Sequence, residues 1–308
     1  MIASGLIALG GVAFLQGKGP AMLGPFPKNG EITNRPALIR VRAGDPELTA
    51  EAALAMRIKS GETLYERNAE ARLPIASLTK LMSALLLAEQ EAPLALVPFS
   101  ERAKKAGKPE DKRSAVPAGE AIKTEDVIKM LLISSDGDAA WAAAEHTAAA
   151  GELALAGAGF EERTAAFVSR MNDRAKALGL ENTRFANPAG NDNPENYSTA
   201  RDLARLAAFI AEEWPGLWAA SRIQETFVFG ASGGRYGLAN TNPLLGEYPA
   251  IFGSKTGFDD EARGALLLLY QLAPDDLVTL VLLRSRNRIE DGREFIRWLE
   301  SSFVIESP

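Results

Sequence analysis

The chain has 308 residues, a formal net charge of −6, a hydrophobic share of 46% and a charged share of 24%, which predicts a globular protein of about two domains or one larger domain with an insertion. The negative net charge gives no reason to expect a nucleic acid partner. The absence of cysteine excludes disulfides, thiol nucleophiles and cysteine-ligated zinc, and the single histidine, His146, excludes a zinc site with two or three imidazole ligands.

Residues 1–15 carry no charge and are rich in Ile, Leu, Ala, Val and Gly. This length suits the hydrophobic region of an export signal and is short for a spanning helix. No Lys or Arg precedes the run and no clear small-x-small cleavage site follows it, so a retained membrane anchor is the alternative to a cleaved signal peptide. Residues 16–50 are rich in Gly and Pro, which predicts a linker. We therefore expect an exported protein.

The folded part is predicted to begin with a hairpin and an apolar helix. Residues 53–58 and 63–66 have the pattern of two strands, and Gly61 lies in the turn between them. A helix is predicted from Ser77 to about residue 90, because apolar side chains recur there at the spacing of one helix face. These side chains are Leu78, Leu81, Met82, Leu85 and Leu86.

Lys80 is the only formal charge between Leu73 and Ala88. It shares a face of the first helical turn with Ser77, at i and i+3. The positive end of the helix dipole and the apolar surroundings both disfavour a charged amine, so both lower the pKa of Lys80 toward the range of a base. The alternative is a lysine that extends to water, with Ser77 as a helix N-cap. The four residues Ser77-Leu78-Thr79-Lys80 leave both interpretations open.

The central part of the chain is predicted to be mainly helical. A short strand at residues 96–99 precedes a basic arm that contains Lys104 and Arg113, which we expect to be a solvated face without a binding role. Further helices are predicted over residues 124–133, 139–149, 161–178 and 199–214. His146 lies on the second of these, where a structural role is expected. The segment 180–197 has the Asn, Pro and Gly content of a loop.

The last part of the chain changes character. Residues 251–257, 265–272 and 277–283 are apolar runs that predict strands, and a final helix follows over residues 290–303. Strands at both ends with helices between them predict an α/β (α+β) fold: one antiparallel five-stranded sheet from both chain ends, flanked by helices, with an inserted all-helical subdomain. We place the whole domain at residues 51–303, its sheet part at 51–90 and 235–303, and the helical insertion at 91–234.

Three short motifs occur in chain order: Ser77-Leu78-Thr79-Lys80, Ser135-Asp136-Gly137 and Lys255-Thr256-Gly257. The set S-x-x-K, S-D-N and K-T-G is typical of penicillin-binding proteins and class A β-lactamases. Further stretches share the likeness: residues 74–80, Asn172 with Leu178-Gly179-Leu180, 183–190, 197–203, Asn240-Thr241-Asn242 and 253–258. Over roughly residues 50–303 the chain resembles the D-alanyl-D-alanine carboxypeptidases among the low-molecular-weight penicillin-binding proteins.

The resemblance implies a serine-type D-alanyl-D-alanine carboxypeptidase of the cell envelope. Its substrate would be a peptidoglycan stem peptide ending in D-Ala-D-Ala, cleaved through an acyl-enzyme on Ser77, and β-lactam antibiotics such as penicillin would inhibit it. The resemblance implies no cofactor and no metal. The expected location is the outer face of the cytoplasmic membrane, the periplasm or the cell wall, and any membrane attachment is expected through the N-terminal apolar segment.

Peptide cleavage by a serine requires a base for the serine hydroxyl, hydrogen-bond donors for the tetrahedral oxyanion and groups that bind the substrate. With histidine scarce, Lys80 is the natural base for Ser77. By resemblance, Ser135 would relay protons between Lys80 and the leaving group.

The resemblance also implies substrate-binding residues. Lys255 and Thr256 would hold the terminal carboxylate, for which a cation has a physical reason. Gly257 of the same motif would also line the substrate site. The backbone amides of Ser77 and Phe258 would form the oxyanion hole.

The second motif departs from the family pattern and allows two frames. In the first, Ser135 is the catalytic serine and Gly137 replaces the usual asparagine. In the second, Ser134 is the catalytic serine and Asp136 replaces the asparagine as a substrate-binding group. We favour Ser135.

Three other functions of the same fold stay open. A class A β-lactamase needs a glutamate-bearing loop for deacylation, and Glu195-Asn196 lacks the expected following pattern. A DD-endopeptidase has the same motifs as a carboxypeptidase. The altered second motif also fits a catalytically silent cell-wall-binding homologue.

Overall fold

The computed structural model describes residues 38–41, 44–107, 113–151 and 157–305. Its strands are β1 Leu38–Arg40, β2 Ala52–Arg57, β3 Thr63–Arg67, β4 Leu73–Pro74, β5 Leu96–Pro98, β6 Ala121–Lys123, β7 Tyr197–Ser198, β8 Glu225–Phe229, β9 Arg235–Ala239, β10 Ile251–Asp259, β11 Arg263–Ala273, β12 Asp276–Ser285 and β13 Phe303–Ile305. Its helices are α1 Lys80–Gln90, α2 Glu101–Ala106, α3 Thr124–Lys129, α4 Gly137–Gly151, α5 Phe160–Ala177, α6 Ala200–Glu213, α7 Pro215–Ser221 and α8 Arg288–Ser302.

The central sheet has five antiparallel strands in the order β10-β11-β12-β2-β3. The N-terminal hairpin therefore inserts beside the C-terminal strands, which confirms the predicted fold class. Alternate residues of β11 face two different cores: Leu267 belongs to the buried cluster that includes side chains of α1 and α6, whereas Leu266 belongs to the cluster that includes side chains of α8. Because helices cover both faces, β11 and β12 are near-continuous apolar runs rather than alternating ones.

The helix predicted from Ser77 is confirmed, with one difference in its first turn. Residues Ala76–Thr79 form a 3₁₀ turn, and α1 continues from Lys80. Every residue of α1 from Lys80 to Leu87 is buried. The lysine is therefore carried into the core at the point where the helix begins.

Two features of the helical part differ from the predictions. Pro215 ends α6 as expected but also begins α7, which suits proline because the first helical position needs no N–H donor. The hairpin of β8 and β9 was not predicted.

The prediction that the basic arm is a solvated face is wrong for Lys104, whose side chain is 18% exposed, whereas Arg113 is exposed and also contacts a buried acid. Lys104 Nζ lies 2.8 Å from Asp138 Oδ2 and Arg113 Nε lies 2.9 Å from Asp138 Oδ1. Asp138 is buried in the first turn of α4. The two cations therefore neutralise a buried carboxylate three residues after Ser135.

Residues 1–37, which contain the predicted signal or anchor and most of the predicted linker, lie outside the described residues. In the part of the chain that the structure does describe, no helix combines the length and apolar character needed to cross a membrane. The boundaries of the helical insertion at residues 91 and 234 stay a prediction.

Candidate active site

The three predicted motifs meet at one cleft of about 350 Å³. It lies between the first turn of α1, the loop before α4, the edge strand β10 and the loop at residues 189–192. Its lining includes Ser77, Lys80, Ser135, Gly137, Thr241, Thr256, Gly257, Phe258 and Arg288. The fold thus brings together residues that are more than two hundred positions apart in the sequence.

Ser77 and Lys80 form a close pair at the bottom of this cleft. Lys80 Nζ lies 2.8 Å from Ser77 Oγ and donates a second hydrogen bond of 2.5 Å to the carbonyl oxygen of Ala189. The Lys80 side chain is only 3% exposed, whereas Ser77 is half-buried and open to the cleft. A buried amine next to a reachable hydroxyl has the geometry of a base and its nucleophile.

The backbone beside Ser77 is left uncovered by two glycines. Gly190 has φ +83°, and a Cβ there would lie 2.0 Å from the carbonyl oxygen of Ala76. A Cβ on Gly257 would lie 3.2 Å from the backbone nitrogen of Ser77. Ala76 itself has a positive φ of 46°, a strained conformation of the kind found at functional sites. Side chains at either glycine position would crowd the amide that a developing oxyanion needs.

The loop at residues 187–191 contributes a wall of the cleft beside Lys80, and its role was missed in the sequence. The side-chain oxygen of Asn187 accepts hydrogen bonds from the amides of Gly190 and Asn191, which folds the loop back on itself. Ser83 Oγ donates to the carbonyl oxygen of Pro188 at 2.7 Å and so fixes the loop to α1. The turn-like composition predicted a loop but gave no sign that its carbonyls face Lys80.

The structure separates the two candidate serines of the second motif. Ser135 adopts the left-handed conformation with φ 59° and lines the cleft, where its Oγ lies 2.9 Å from Lys255 Nζ. Ser134 is buried and donates to the carbonyl oxygen of Met130 at 3.0 Å. The geometry therefore favours the frame in which Ser135 is catalytic.

Asp136 is not brought into the cleft. Its carboxylate accepts a hydrogen bond of 2.9 Å from the amide of Ala139 and so caps the start of α4. Burial raises the pKa of Asp136 to about 6, with a smaller contribution from the nearby charge of Asp138. Gly137 rather than Asp136 lines the cleft at this point.

The K-T-G strand contributes a second buried amine. Lys255 is 1% exposed, and its Nζ donates to Ser135 Oγ and to the carbonyl oxygen of Thr256 at 2.7 Å. The hydroxyl of Thr256 shares a hydrogen bond of 2.6 Å with that of Thr241. Thr241 belongs to Asn240-Thr241-Asn242, one of the stretches that carry the family resemblance. Its hydroxyl lines the cleft beside Thr256, so this stretch contributes to the site.

A guanidinium that was missed in the sequence lines the open end of the cleft. Arg288, the first residue of α8, lies with its Cζ 5.6 Å from the ring centroid of Phe258. Its buried Nε has no hydrogen-bond partner within the described residues, and burial lowers the pKa of Arg288. Several arginines cluster before α8 in the sequence, so their pattern alone does not single out the one that faces the cleft.

No three carboxylate or imidazole groups of the described residues are arranged to hold a metal ion. The site instead consists of Ser77, the buried amines of Lys80 and Lys255, the hydroxyl of Ser135, and backbone amides that no side chain of the described residues covers. It can activate a hydroxyl, attract a carboxylate and stabilise an oxyanion.

Comparison with known proteins finds related sequences and structures. A sequence model of the family described as D-alanyl-D-alanine carboxypeptidase matches residues 39–285. The chain is 32% identical over 278 residues to the D-alanyl-D-alanine endopeptidase of Pseudomonas aeruginosa, covering 87% of this chain and 83% of that protein. It is 33% identical over 227 residues to the D-alanyl-D-alanine carboxypeptidase DacF of Bacillus subtilis, covering 71% of this chain and 54% of that protein. The crystal structure of the Streptomyces K15 DD-transpeptidase superposes with a TM-score of 0.76 at 25% identity, covering 84% of this chain and 100% of that one.

Proposed function

Since the chain belongs to the D-alanyl-D-alanine carboxypeptidase family, the low-molecular-weight penicillin-binding serine peptidases of cell-wall metabolism, we propose that it removes the terminal D-alanine from peptidoglycan stem peptides through an acyl-enzyme on Ser77. The observation that carries this proposal is the 2.8 Å pairing of Ser77 Oγ with the buried Lys80 Nζ. We further propose that the protein acts in the cell envelope after export.

The substrate is held by its terminal carboxylate. Lys255 supplies a buried cation at the K-T-G strand, and the hydroxyl of Thr256 points toward the same part of the cleft as Thr241. Arg288 adds a guanidinium without an acidic partner in the described residues. A free carboxylate distinguishes a carboxypeptidase substrate from an internal peptide bond, so these groups select for it.

Acylation begins when Lys80 accepts the proton of Ser77 Oγ. Burial disfavours the charged ammonium form, and a second amine, that of Lys255, shares the cleft, so a neutral Lys80 is available as base. Oγ then bonds to the carbonyl carbon, and the carbonyl oxygen becomes an oxyanion held by the amides of Ser77 and Phe258. The carbon–nitrogen bond breaks, and the departing D-alanine amine takes a proton that Ser135 passes on from Lys80.

Deacylation reverses the proton path. A water molecule gives a proton to the base and bonds to the ester carbon, and the bond to Ser77 Oγ breaks as Oγ regains a proton. Penicillin would acylate the same serine, but its leaving nitrogen stays tethered to the acyl group. An adduct that lasts many minutes would support this proposal over a β-lactamase, which hydrolyses its adduct rapidly.

The experiment for this proposal measures D-alanine released from a D-Ala-D-Ala-ended peptide. Wild type should release D-alanine, and Lys80→Ala should be slower by a factor of about 10²–10⁴, because it lacks the base. Lys105→Ala, which removes an exposed lysine, serves as the control and should match wild type. Equal release by wild type and Lys80→Ala would refute the proposed base, and no release by wild type would leave the silent homologue as the better account.

Endopeptidase action is the second candidate. The relative from Pseudomonas aeruginosa is named a D-alanyl-D-alanine endopeptidase and covers more of this chain than the carboxypeptidase DacF does. Cleavage of a cross-linked stem-peptide dimer, measured beside D-alanine release, separates the two activities.

A further inference from the structure

Three phenylalanines of the described residues are strongly exposed: Phe227 at 49%, Phe229 at 57% and Phe258 at 63%. Phe258 lines the cleft, and the other two lie on β8. Single exposed apolar side chains are ordinary, but aromatic rings grouped on one flat surface often mark a binding site.

Phe227 and Phe229 lie on the same face of β8, because strand residues two apart point the same way and the intervening Val228 is buried. Gly237 is the cross-strand partner of Phe227, so the residue directly opposite places no side chain beside the ring. Arg235 is the partner of Phe229, and its Cζ lies 3.5 Å from the ring centroid of Phe227. We call this face of Phe227, Phe229 and Arg235 the hairpin platform.

The guanidinium of Arg235 is stacked, and no carboxylate of the described residues forms an ion pair with it. Its planar face lies on Phe227, which leaves the N–H groups at its edge for a ligand. Within the described part of the chain, no carboxylate or carbonyl oxygen accepts from these N–H groups. A stacked arginine next to an open aromatic ring suits a ligand that has both an apolar face and a carboxylate.

The platform is held in a fixed position relative to the cleft. At the base of the hairpin, Asn240 Nδ2 donates to the carbonyl oxygens of Ser221 and Ile223, each at 2.8 Å. At its tip, the carboxylate of Glu120 accepts from the amide and hydroxyl of Ser232. Both ends of the hairpin are therefore anchored.

The hairpin also leads directly out of the leaving-group side of the cleft. β9 ends at Ala239, and two residues later the hydroxyl of Thr241 contacts Thr256. Under the proposed function, the substrate carboxylate lies at Lys255 and Thr256, and the acyl part extends toward Phe258. The leaving group is then on the side of Thr241, from which the hairpin begins.

We propose that the hairpin platform binds the leaving strand of cross-linked peptidoglycan. A sugar ring would stack on Phe229, and a carboxylate of the attached stem peptide would pair with Arg235. The four residue-to-residue steps from Thr241 to Gly237 span about 13 Å, and a stem peptide of three or four residues spans about 10–14 Å. A peptide that leaves the cleft along the hairpin therefore brings its glycan to the platform. This inference rests on the endopeptidase action proposed as the second candidate for the same site. Removal of a terminal D-alanine releases no strand, whereas cleavage of a cross-link releases a stem peptide that carries a glycan.

The test compares two substrates, a cross-linked disaccharide-peptide dimer and a short D-Ala-D-Ala peptide. The double variant Phe227→Ser/Phe229→Ser should lose about ten-fold in kcat/KM on the dimer and stay within about two-fold of wild type on the short peptide. The control Ile39→Ser/Val304→Ser removes exposed apolar side chains of similar accessibility, 42% and 46%, from the sheet of β1 and β13 and should match wild type on both substrates. Equal changes on the two substrates, or no change on the dimer, would overturn the platform.

Binding to purified cell-wall sacculi separates this inference from the proposed function. In a Ser77→Ala background, pelleting with sacculi needs no catalysis, and Phe227→Ser/Phe229→Ser should reduce the pelleted fraction severalfold. Arg235→Gln should also reduce it, with a weaker dependence on salt because one ion pair is lost. Pelleting equal to the Ser77→Ala parent in all variants would refute the platform even if wild type releases D-alanine. Conversely, reduced pelleting would support it even if D-alanine release failed.

Discussion

Lys80, the proposed base for Ser77, lies in the same helical turn as Ser77, but the residues that complete the site are distant in the sequence. Ala189 accepts a hydrogen bond from Lys80, and Ser135 faces Lys255 across the cleft. The four motif residues alone were compatible with an exposed lysine. Burial of Lys80 by α1 and the 187–191 loop excludes that alternative.

The proposed proton relay can be tested at the two serines of the second motif. Ser135→Ala should slow acylation by about 10²-fold or more, because the leaving amine loses its proton donor. Ser134→Ala should have little effect on acylation, because Ser134 Oγ is bonded to a helix carbonyl away from the cleft. Rates of penicillin acylation measure both, and a larger loss for Ser134→Ala would favour the shifted motif frame.

Asp136 gives a pH-dependent contribution to stability. Because its pKa is raised from 3.8 to about 6, the folded protein binds this proton more tightly than the unfolded chain does. The resulting stabilisation is complete below the unfolded pKa and is lost as pH rises through about 6. Asp136→Asn keeps an oxygen to cap α4 and removes the charge, so it should raise the free energy of unfolding at pH 7.5 by about 1–3 kcal/mol.

Urea unfolding of wild type and Asp136→Asn between pH 4 and pH 8 measures this difference. It should shrink toward acidic pH, where the aspartate is protonated. A difference that is constant over this range would contradict the raised pKa.

Gly190 tests whether the backbone next to the nucleophile must stay uncovered. Gly190→Ala adds a Cβ that would lie 2.0 Å from the carbonyl oxygen of Ala76, so the loop or the nucleophile must move. We expect penicillin acylation to fall by at least about ten-fold, along with a stability loss of about 1–3 kcal/mol. Gly179→Ala is the matched control, because Gly179 has a similar φ of +67° with nothing within 4 Å of the added Cβ. It should lose stability and keep its acylation rate; equal acylation losses in both variants would indicate a general effect of strain.

At the scale of elements, the start of α4 carries the second motif and is fixed by ion pairs that the sequence did not reveal. Asp138 binds Lys104 and Arg113, and the amide of Ser114 donates to its Oδ2 at 3.0 Å. A basic run has the same appearance in a sequence whether it is solvated or paired with a distant buried acid. The role of this arm therefore needed the fold to bring α2 against α4.

Removing this buried carboxylate should cost stability. Asp138→Asn leaves Lys104 and Arg113 without their countercharge and should lower the free energy of unfolding by about 1–2 kcal/mol, because both cations keep access to water while the buried hydrogen bonds of the carboxylate weaken. Glu101→Gln breaks the exposed pair with Lys105 and should cost under about 1 kcal/mol. Thermal unfolding at low and moderate salt measures both, and equal losses would contradict a structural role for the Asp138 cluster.

At the scale of the whole molecule, the sequence predicted the architecture because long apolar runs have few alternatives. The strands at residues 251–257, 265–272 and 277–283 and the N-terminal hairpin all occur, in one antiparallel sheet. The β8–β9 hairpin was missed because Phe227 and Phe229 face outward and two glycines, Gly233 and Gly234, lie in its turn, so no apolar run marks it.

The candidate site was predicted in its motifs but not in its walls. Residues 189–192, Thr241 and Arg288 reach the cleft only through tertiary packing, and their local sequences have ordinary loop or helix-start patterns. The choice between Ser134 and Ser135 as the catalytic serine also could not be made from the local sequence. A one-residue shift in a π-helical turn decides which hydroxyl faces the cleft.

The central claim is that Lys80 activates Ser77 for acylation, and the most direct measurement is the rate at which benzylpenicillin labels Ser77, followed by mass spectrometry. Wild type should form one adduct, located on the Ser77 peptide, and Lys80→Ala should form it slower by a factor of about 10² or more. An adduct on another residue, or equal labelling rates in wild type and Lys80→Ala, would contradict the account.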